Sequence, residues 1–176
     1  MDNEKNYEEF LKENGKFPDE IKEVSAIAQR LRNYLGMEPV LSAIKEVHKL
    51  HGLSQQIQSL LEKELLEIGF TTEKKGLFSG CPVPSLRPDF YMKVGESGIL
   101  VEIERGKTIA NNMDLLDMWK CHLCTEAHFL FLVVPCVRRN QKDQATRPFD
   151  RASKRLAPFF QRENYVNVEA VYLFGY

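Results

Sequence analysis

Long apolar runs are missing from this chain of 176 residues, and none is long enough to span a membrane. The opening Met1-Asp2-Asn3-Glu4-Lys5 lacks the basic-then-apolar layout of a secretory leader, so the expectation is an intracellular, cytoplasmic protein with no membrane partner. Cysteine is scarce. The four present (Cys81, Cys121, Cys124 and Cys136) form no secreted disulfide framework and read as reduced thiols. Cys121-His122-Leu123-Cys124, with His128 nearby, lacks the second ligand pair that a structural zinc site needs. Net charge is scarce as well: 24 Lys and Arg against 25 Asp and Glu leave −1, which by itself announces no nucleic-acid binder. No phosphate-cradling glycine loop, dinucleotide fingerprint, Ser/His/Asp arrangement or internal repeat is present, so no organic cofactor is expected.

What is present is a hairpin that carries acids where a sheet normally keeps apolar residues. Phe90-Tyr91-Met92-Lys93-Val94 and Ile99-Leu100-Val101-Glu102-Ile103-Glu104 are rich in β-branched and aromatic residues, with turn chemistry in Gly95-Glu96-Ser97-Gly98 between them. A turn centred on Glu96 and Ser97 sets Asp89 opposite Glu104 and Tyr91 opposite Glu102, on one face of the sheet. Three carboxylates crowded together repel one another unless a cation neutralises them, which points to a bound divalent metal. The other face, Ile99, Val101 and Ile103, is an apolar stripe for a core. The competing reading is a charged edge hairpin kept soluble by its acids.

Around the hairpin, periodicity sets out the rest of the chain. Residues 1 to about 18 read as a short helix or loose arm, followed by helices over Asp19–Leu35 and from Pro39 through His48. Together they form an N-terminal helical extension, residues 1–52, outside the core domain of 53–176 and suited to dimerisation, partner binding or capping. Leu53–Ile68 is the strongest helix, with Ser54 as N-cap candidate and Ile57, Leu60, Leu61, Leu65 and Ile68 as its stripe. Glu64 lies within that stripe, so it either meets a partner such as the metal site or reaches out to solvent. After a short strand at Phe70–Lys74 and a Gly/Pro-rich loop come the hairpin and a helix running through Cys124. That helix is capped by Asn111 or Asn112, with Leu115, Leu116, Trp119 and Leu123 facing inward. His128–Val134, apolar on both faces, reads as a central strand; a basic helix from about Asp150 to Gln161 and a strand at Val168–Phe174 follow. Basic residues outnumber acids between Val137 and Arg155, where Arg138, Arg139, Lys142, Arg147, Arg151, Lys154 and Arg155 form either a phosphate-contacting patch or a solvated face.

Pro88-Asp89, the hairpin, Glu102-Ile103-Glu104, then a helix and a buried strand resemble the PD-(D/E)XK nuclease superfamily over roughly residues 53 to 135. The resemblance implies an α/β fold with a restriction-endonuclease-like αβββαβ core, a mixed central sheet flanked by helices. Glu104 stands where most members carry lysine, a departure that resembles the Glu-x-Glu of BamHI-type restriction enzymes. Lys93 and Lys120 are candidates to replace the missing lysine, with an ordinary surface role as the alternative for each. The resemblance further implies that Asp89, Glu102 and the carbonyl of Ile103 hold magnesium, with manganese as a substitute. In the same scheme Glu104 holds or deprotonates the attacking water, and Glu64 supplies a helix-borne acid. The expected activity is that of a magnesium-dependent endonuclease hydrolysing DNA phosphodiesters as a homodimer, with Arg105, Lys107, Arg138 and Arg139 touching phosphate. A catalytically inactive member binding nucleic acid or a protein is the alternative.

Overall fold

Phe129–Val134 is apolar at every position, and a strand of that kind must be covered on both sides. It is β5, the inner strand of a mixed six-stranded sheet in the order β1-β8-β5-β4-β3-β2. The computed structural model describes residues 5–49, 54–72, 87–105, 111–139 and 142–176. Its elements are β1 (Tyr7–Leu11), α1 (Pro18–Leu35), α2 (Glu38–Val47), α3 (Ser54–Ile68), β2 (Thr71–Thr72), β3 (Phe90–Val94) and β4 (Ser97–Ile103). There follow α4 (Met113–Leu123), β5, β6 (Arg138–Arg139), β7 (Ala145–Thr146), α5 (Pro148–Leu156), a 3-10 turn at Ala157–Phe160 and β8 (Ala170–Gly175). Strands β4, β5 and β8 run parallel, while β1, β2 and β3 each pair antiparallel with a neighbour. No helix among the described residues is long and apolar enough to cross a membrane.

Strand alternation divides the core into two layers. Ile99, Val101, Phe129, Phe131, Tyr172 and Phe174 face α1, α2 and α3, whereas Leu100, Leu130, Leu132, Val171 and Leu173 face α4 and α5. Helices α1 and α2 therefore do not stand outside the core: Val24, Ala28, Leu31 and Ile44 are buried in the same cluster as the sheet. Helix α1 forms where Pro18 can take the first helical position, with Asp19 and Glu20 in its first turn, and it stops at Gly36. Helix α3 buries Ile57, Leu61 and Leu65 at the expected spacing, while Leu60 and Ile68 are only partly covered. The arm expected before residue 18 contains β1, an edge strand on β8 that carries Glu8 and Glu9. Such charged edges discourage further strand pairing, which is why the segment does not look like a strand in sequence.

The hairpin turn closes one residue earlier than expected, which shifts the cross-strand pairing by two. Val94 pairs with Ser97 and Tyr91 with Leu100, so the turn residues are Gly95, at φ +52°, and Glu96, whose amide donates to Glu20. Continuing that register sets Asp89 abreast of Glu102 rather than Glu104. A shift of two residues leaves every side chain on its expected face.

Gly98 supplies a test of how closely this corner is packed. A Cβ there would meet Tyr91 Cε2 at 2.6 Å and the carbonyl oxygens of Glu126 and Met92, each at 2.9 Å. Two of these atoms are backbone and cannot swing away. Gly98→Ala is expected to cost about 2–3 kcal/mol of stability, read as a fall in unfolding midpoint in urea.

Candidate active site

The acids gather at the carboxyl end of β4, on the side of the sheet that α4 covers. Glu102 is buried within β4, and Glu104 follows the strand, its amide donating to the Val133 carbonyl at 2.8 Å. Asp89 precedes β3; its Oδ2 accepts the Ile103 amide at 2.8 Å, which fixes the carboxylate across the hairpin, and its Oδ1 faces Gln58 Nε2 of α3 at 3.4 Å. Ile103 itself sends its side chain into the opposite core layer.

Helix α4 completes the cluster in an unexpected orientation. Its inner face carries Asp114, Asp117, Met118 and Cys121, all buried, whereas Leu116, Trp119 and Leu123, expected inside, are exposed. Asp117 is wholly buried. Lys120 Nζ lies 3.0 Å from Glu102 Oε1 and 2.9 Å from Asp117 Oδ1, the second contact lying off the line of a hydrogen bond. Both Asp117 oxygens thus lack an aligned donor among the described residues. Asp114 faces Arg155 Nε of α5 at 3.3 Å, and a second nitrogen of Arg155 donates to Asn112 Oδ1 at 2.7 Å. Asn112, with φ +55°, does not cap α4 with its side chain; its carbonyl accepts the Leu115 and Leu116 amides.

Crowding and burial shift the titration of the whole group. Glu102 is raised well above the ordinary carboxyl range by burial and then by Asp117, against the pull of Lys120. Glu104 rises to about 7, through burial and then the charges of Asp117 and Asp89. Asp117 rises to about 6, again chiefly by burial. Lys120 is raised despite its burial, because Glu102 and Asp117 hold its proton. Among the described residues, Lys120 is the cation in contact with this group of acids.

Several expected participants lie elsewhere. Glu64 is paired with Arg30 Nε of α1 at 2.8 Å and takes no part in the site; the α3 residue that reaches the acids is Gln58. Lys93 is exposed. Arg105 donates to the Lys49 carbonyl, and Arg105 and Arg138 act electrostatically on both His48 and Tyr176. Tyr176 in turn donates its hydroxyl to the Glu104 carbonyl at 2.9 Å, so these two arginines border the cluster. Arg138 and Arg139 form the small exposed strand β6, paired with β7, and Arg139 also meets Asp143 at 3.0 Å. Lys107, the side chain of Ser54 and the loop 73–86 with Cys81 lie outside the described residues. Cys121 and Cys124 are buried, Cys121 donating to the Ala127 carbonyl, while His122 accepts the Asn167 amide and His128 bonds Ser97, so the zinc motif is occupied by ordinary packing.

Among the described residues, no three His, Cys, Asp or Glu side chains are grouped closely enough to hold a metal ion as they stand. Lys120 contacts both Glu102 and Asp117 instead. All four carboxyls offer oxygen, the donor type of a hard divalent cation, and three have their ionised forms disfavoured as the cluster stands. No family model, curated protein or solved structure matches the chain.

Proposed function

We propose that this protein is a magnesium-dependent deoxyribonuclease with a restriction-endonuclease-like core. The observation that carries the reading is the convergence of Asp89, Glu102, Glu104 and Asp117 near Lys120, on a sheet face otherwise given to core packing. Burying Glu102 and Asp117 next to a lysine, with the half-buried Asp89 and Glu104 beside them, is costly, and a metallo-phosphodiesterase has a use for every member. Asp89 and Glu102, with the Ile103 carbonyl, would hold magnesium, or manganese in its place. When bound, the ion supplies charge neutralisation and a polarised water.

The remaining work falls to the chain's own side chains. Glu104, with a carboxyl near 7, can accept a proton from water at neutral pH, the range in which a general base is most effective. Lys120 replaces, from α4, the lysine that most members of the resembled superfamily carry at the position of Glu104. Its ammonium orients Glu102 and offers positive charge to a phosphate oxygen as the transition state develops. Arg105, Arg138 and Arg139 lie toward the rim, where they would contact the flanking backbone of DNA.

Metal-dependent cleavage of plasmid and short duplex DNA tests the assignment. Asp89→Asn and Glu102→Gln are each expected to reduce magnesium-dependent cleavage by about a hundredfold or more, with an unchanged circular dichroism spectrum. Undiminished cleavage by either variant would falsify the metal-ligand roles. The direct Lys120–Glu102 contact favours a second reading, a non-catalytic nucleic-acid binder. Salt-sensitive DNA binding by wild type without cleavage in any divalent metal, weakened by Arg138→Ala and Arg139→Ala, would establish that reading instead.

A further inference from the structure

Helix α4 is turned so that its acids are buried and its apolar residues face solvent. Leu116, Trp119 and Leu123, exposed by 48, 51 and 39%, follow one another at i, i+3 and i+7, the spacing of a seam on one side of a helix. Tyr165, exposed by 74%, stands beside them, its ring 6.3 Å from that of His122, which itself lies 5.2 Å from Trp119. These four account for most of the large apolar side chains that the described residues leave exposed; Leu11, Met37 and Leu66 lie on other elements. We propose that this outward face of α4 is the surface on which a second copy of the chain docks, forming a twofold homodimer.

Three properties of the patch select a copy of itself as the occupant. The first is charge. A twofold contact sets each part of a surface against the same surface of its mate, so any net charge in it would be self-repelling. Asp114 and Asp117 point inward, Lys120 at the flank of the seam is held by Glu102 and Asp117, and Lys12, 5.3 Å from the Tyr165 ring, donates to the Val166 carbonyl and faces Glu169, so the seam residues of α4 are uncharged and the flanking ammoniums are paired. Depletion of charge with enrichment in Trp and Tyr is the composition of an interface centre. The second property is shape. Beside the projecting leucines lies a cleft lined by Met118, Trp119, His122, Phe159, Tyr165 and Val166. Knob and hole therefore occur on one patch, as a self-complementary contact requires. The third is area. The exposed parts of two aromatic rings and two leucines offer on the order of 400 Å², about the apolar half of the ~800 Å² per partner that a stable interface buries.

This inference does not depend on the nuclease reading, because mass can be measured whether or not the protein cleaves anything. Sedimentation equilibrium of the full chain across the micromolar range is expected to give twice 20.4 kDa. Leu116→Glu and Trp119→Glu are each expected to weaken association at least tenfold, while Leu66→Glu, at an equally exposed leucine of α3, leaves it unchanged. Trp119 is the only tryptophan, so its emission should shift to longer wavelength as wild type is diluted toward monomer. A wild type that stays monomeric, a larger assembly, or a dimer that survives both α4 substitutions would each overturn the proposal. So would a Trp119 emission that ignores dissociation.

Discussion

Lys120→Met is expected to cost about 3 kcal/mol of folding stability at neutral pH and to abolish metal-dependent cleavage. The estimate sits at the lower end of the range for unpairing a buried ion, because the Lys120 side chain is itself 22% exposed. Lys120 is the cation that lowers the carboxyls of Glu102, Glu104 and Asp117 alike. Without it all three would rise further, and the native state would take up protons to limit the damage. The deficit should therefore shrink in mild acid, where those carboxyls are neutral in the folded state of wild type and variant alike. Lys120→Arg, which keeps the charge, should recover most of the stability. Magnesium should raise the unfolding midpoint more in Lys120→Met than in wild type, because the ion then meets unpaired acids. Urea unfolding of the three proteins at two pH values measures each of these, and an unchanged midpoint for Lys120→Met would contradict the pairing described.

Stability of the metal-free protein is expected to fall as pH rises from about 3.8 to about 7. Glu104 moves from 4.5 to about 7 on folding and Asp117 from 3.8 to about 6. A carboxyl whose folded value lies above its unfolded one binds its proton more tightly in the native state, so stability decreases with pH across the window between the two values. Below the lower limit the groups are neutral in both states and cost nothing; above the upper limit the penalty is complete. Its size is on the order of 3 kcal/mol, less than the separate shifts would give, because Glu104 is partly exposed and the groups share Lys120. For a chain of this length that corresponds to a fall of about 6–12 °C in midpoint. Saturating magnesium, which favours the ionised forms, should flatten the slope. Thermal scans with and without the metal decide the matter; a midpoint that climbs through this window without metal would mean the acids are not buried as described.

The acidic hairpin was legible in sequence because strand alternation is robust. The turn closes one residue before Glu96 and Ser97 and so shifts the pairing by two, yet Asp89, Glu102 and Glu104 remain on one face, since an even shift preserves the faces. The mixed α/β sheet was legible for a similar reason: the doubly apolar β5 and the order of elements leave few ways to cover it. Helix α4 defeated the reading that apolar faces turn inward. Its acids recur at Asp114 and Asp117, a helical spacing that marks a second face, but nothing local decides which face meets the sheet. Functional sites are where such rules break. Glu64 failed differently. Its partner Arg30 lies on another helix, and no periodicity within α3 reveals that α1 crosses there.

Pairing β1 with β8 sets Tyr7 beside Phe174, so the two strands can meet only across more than 150 residues of intervening chain. Until β8 emerges, β5 lacks its parallel neighbour and the Tyr172 and Phe174 rings that pack on Phe131 are missing. A nascent chain halted before Ala170 holds the candidate catalytic carboxylates and α4 but not a completed sheet to set them on. Assembly of the candidate cluster is thereby tied to the arrival of β8.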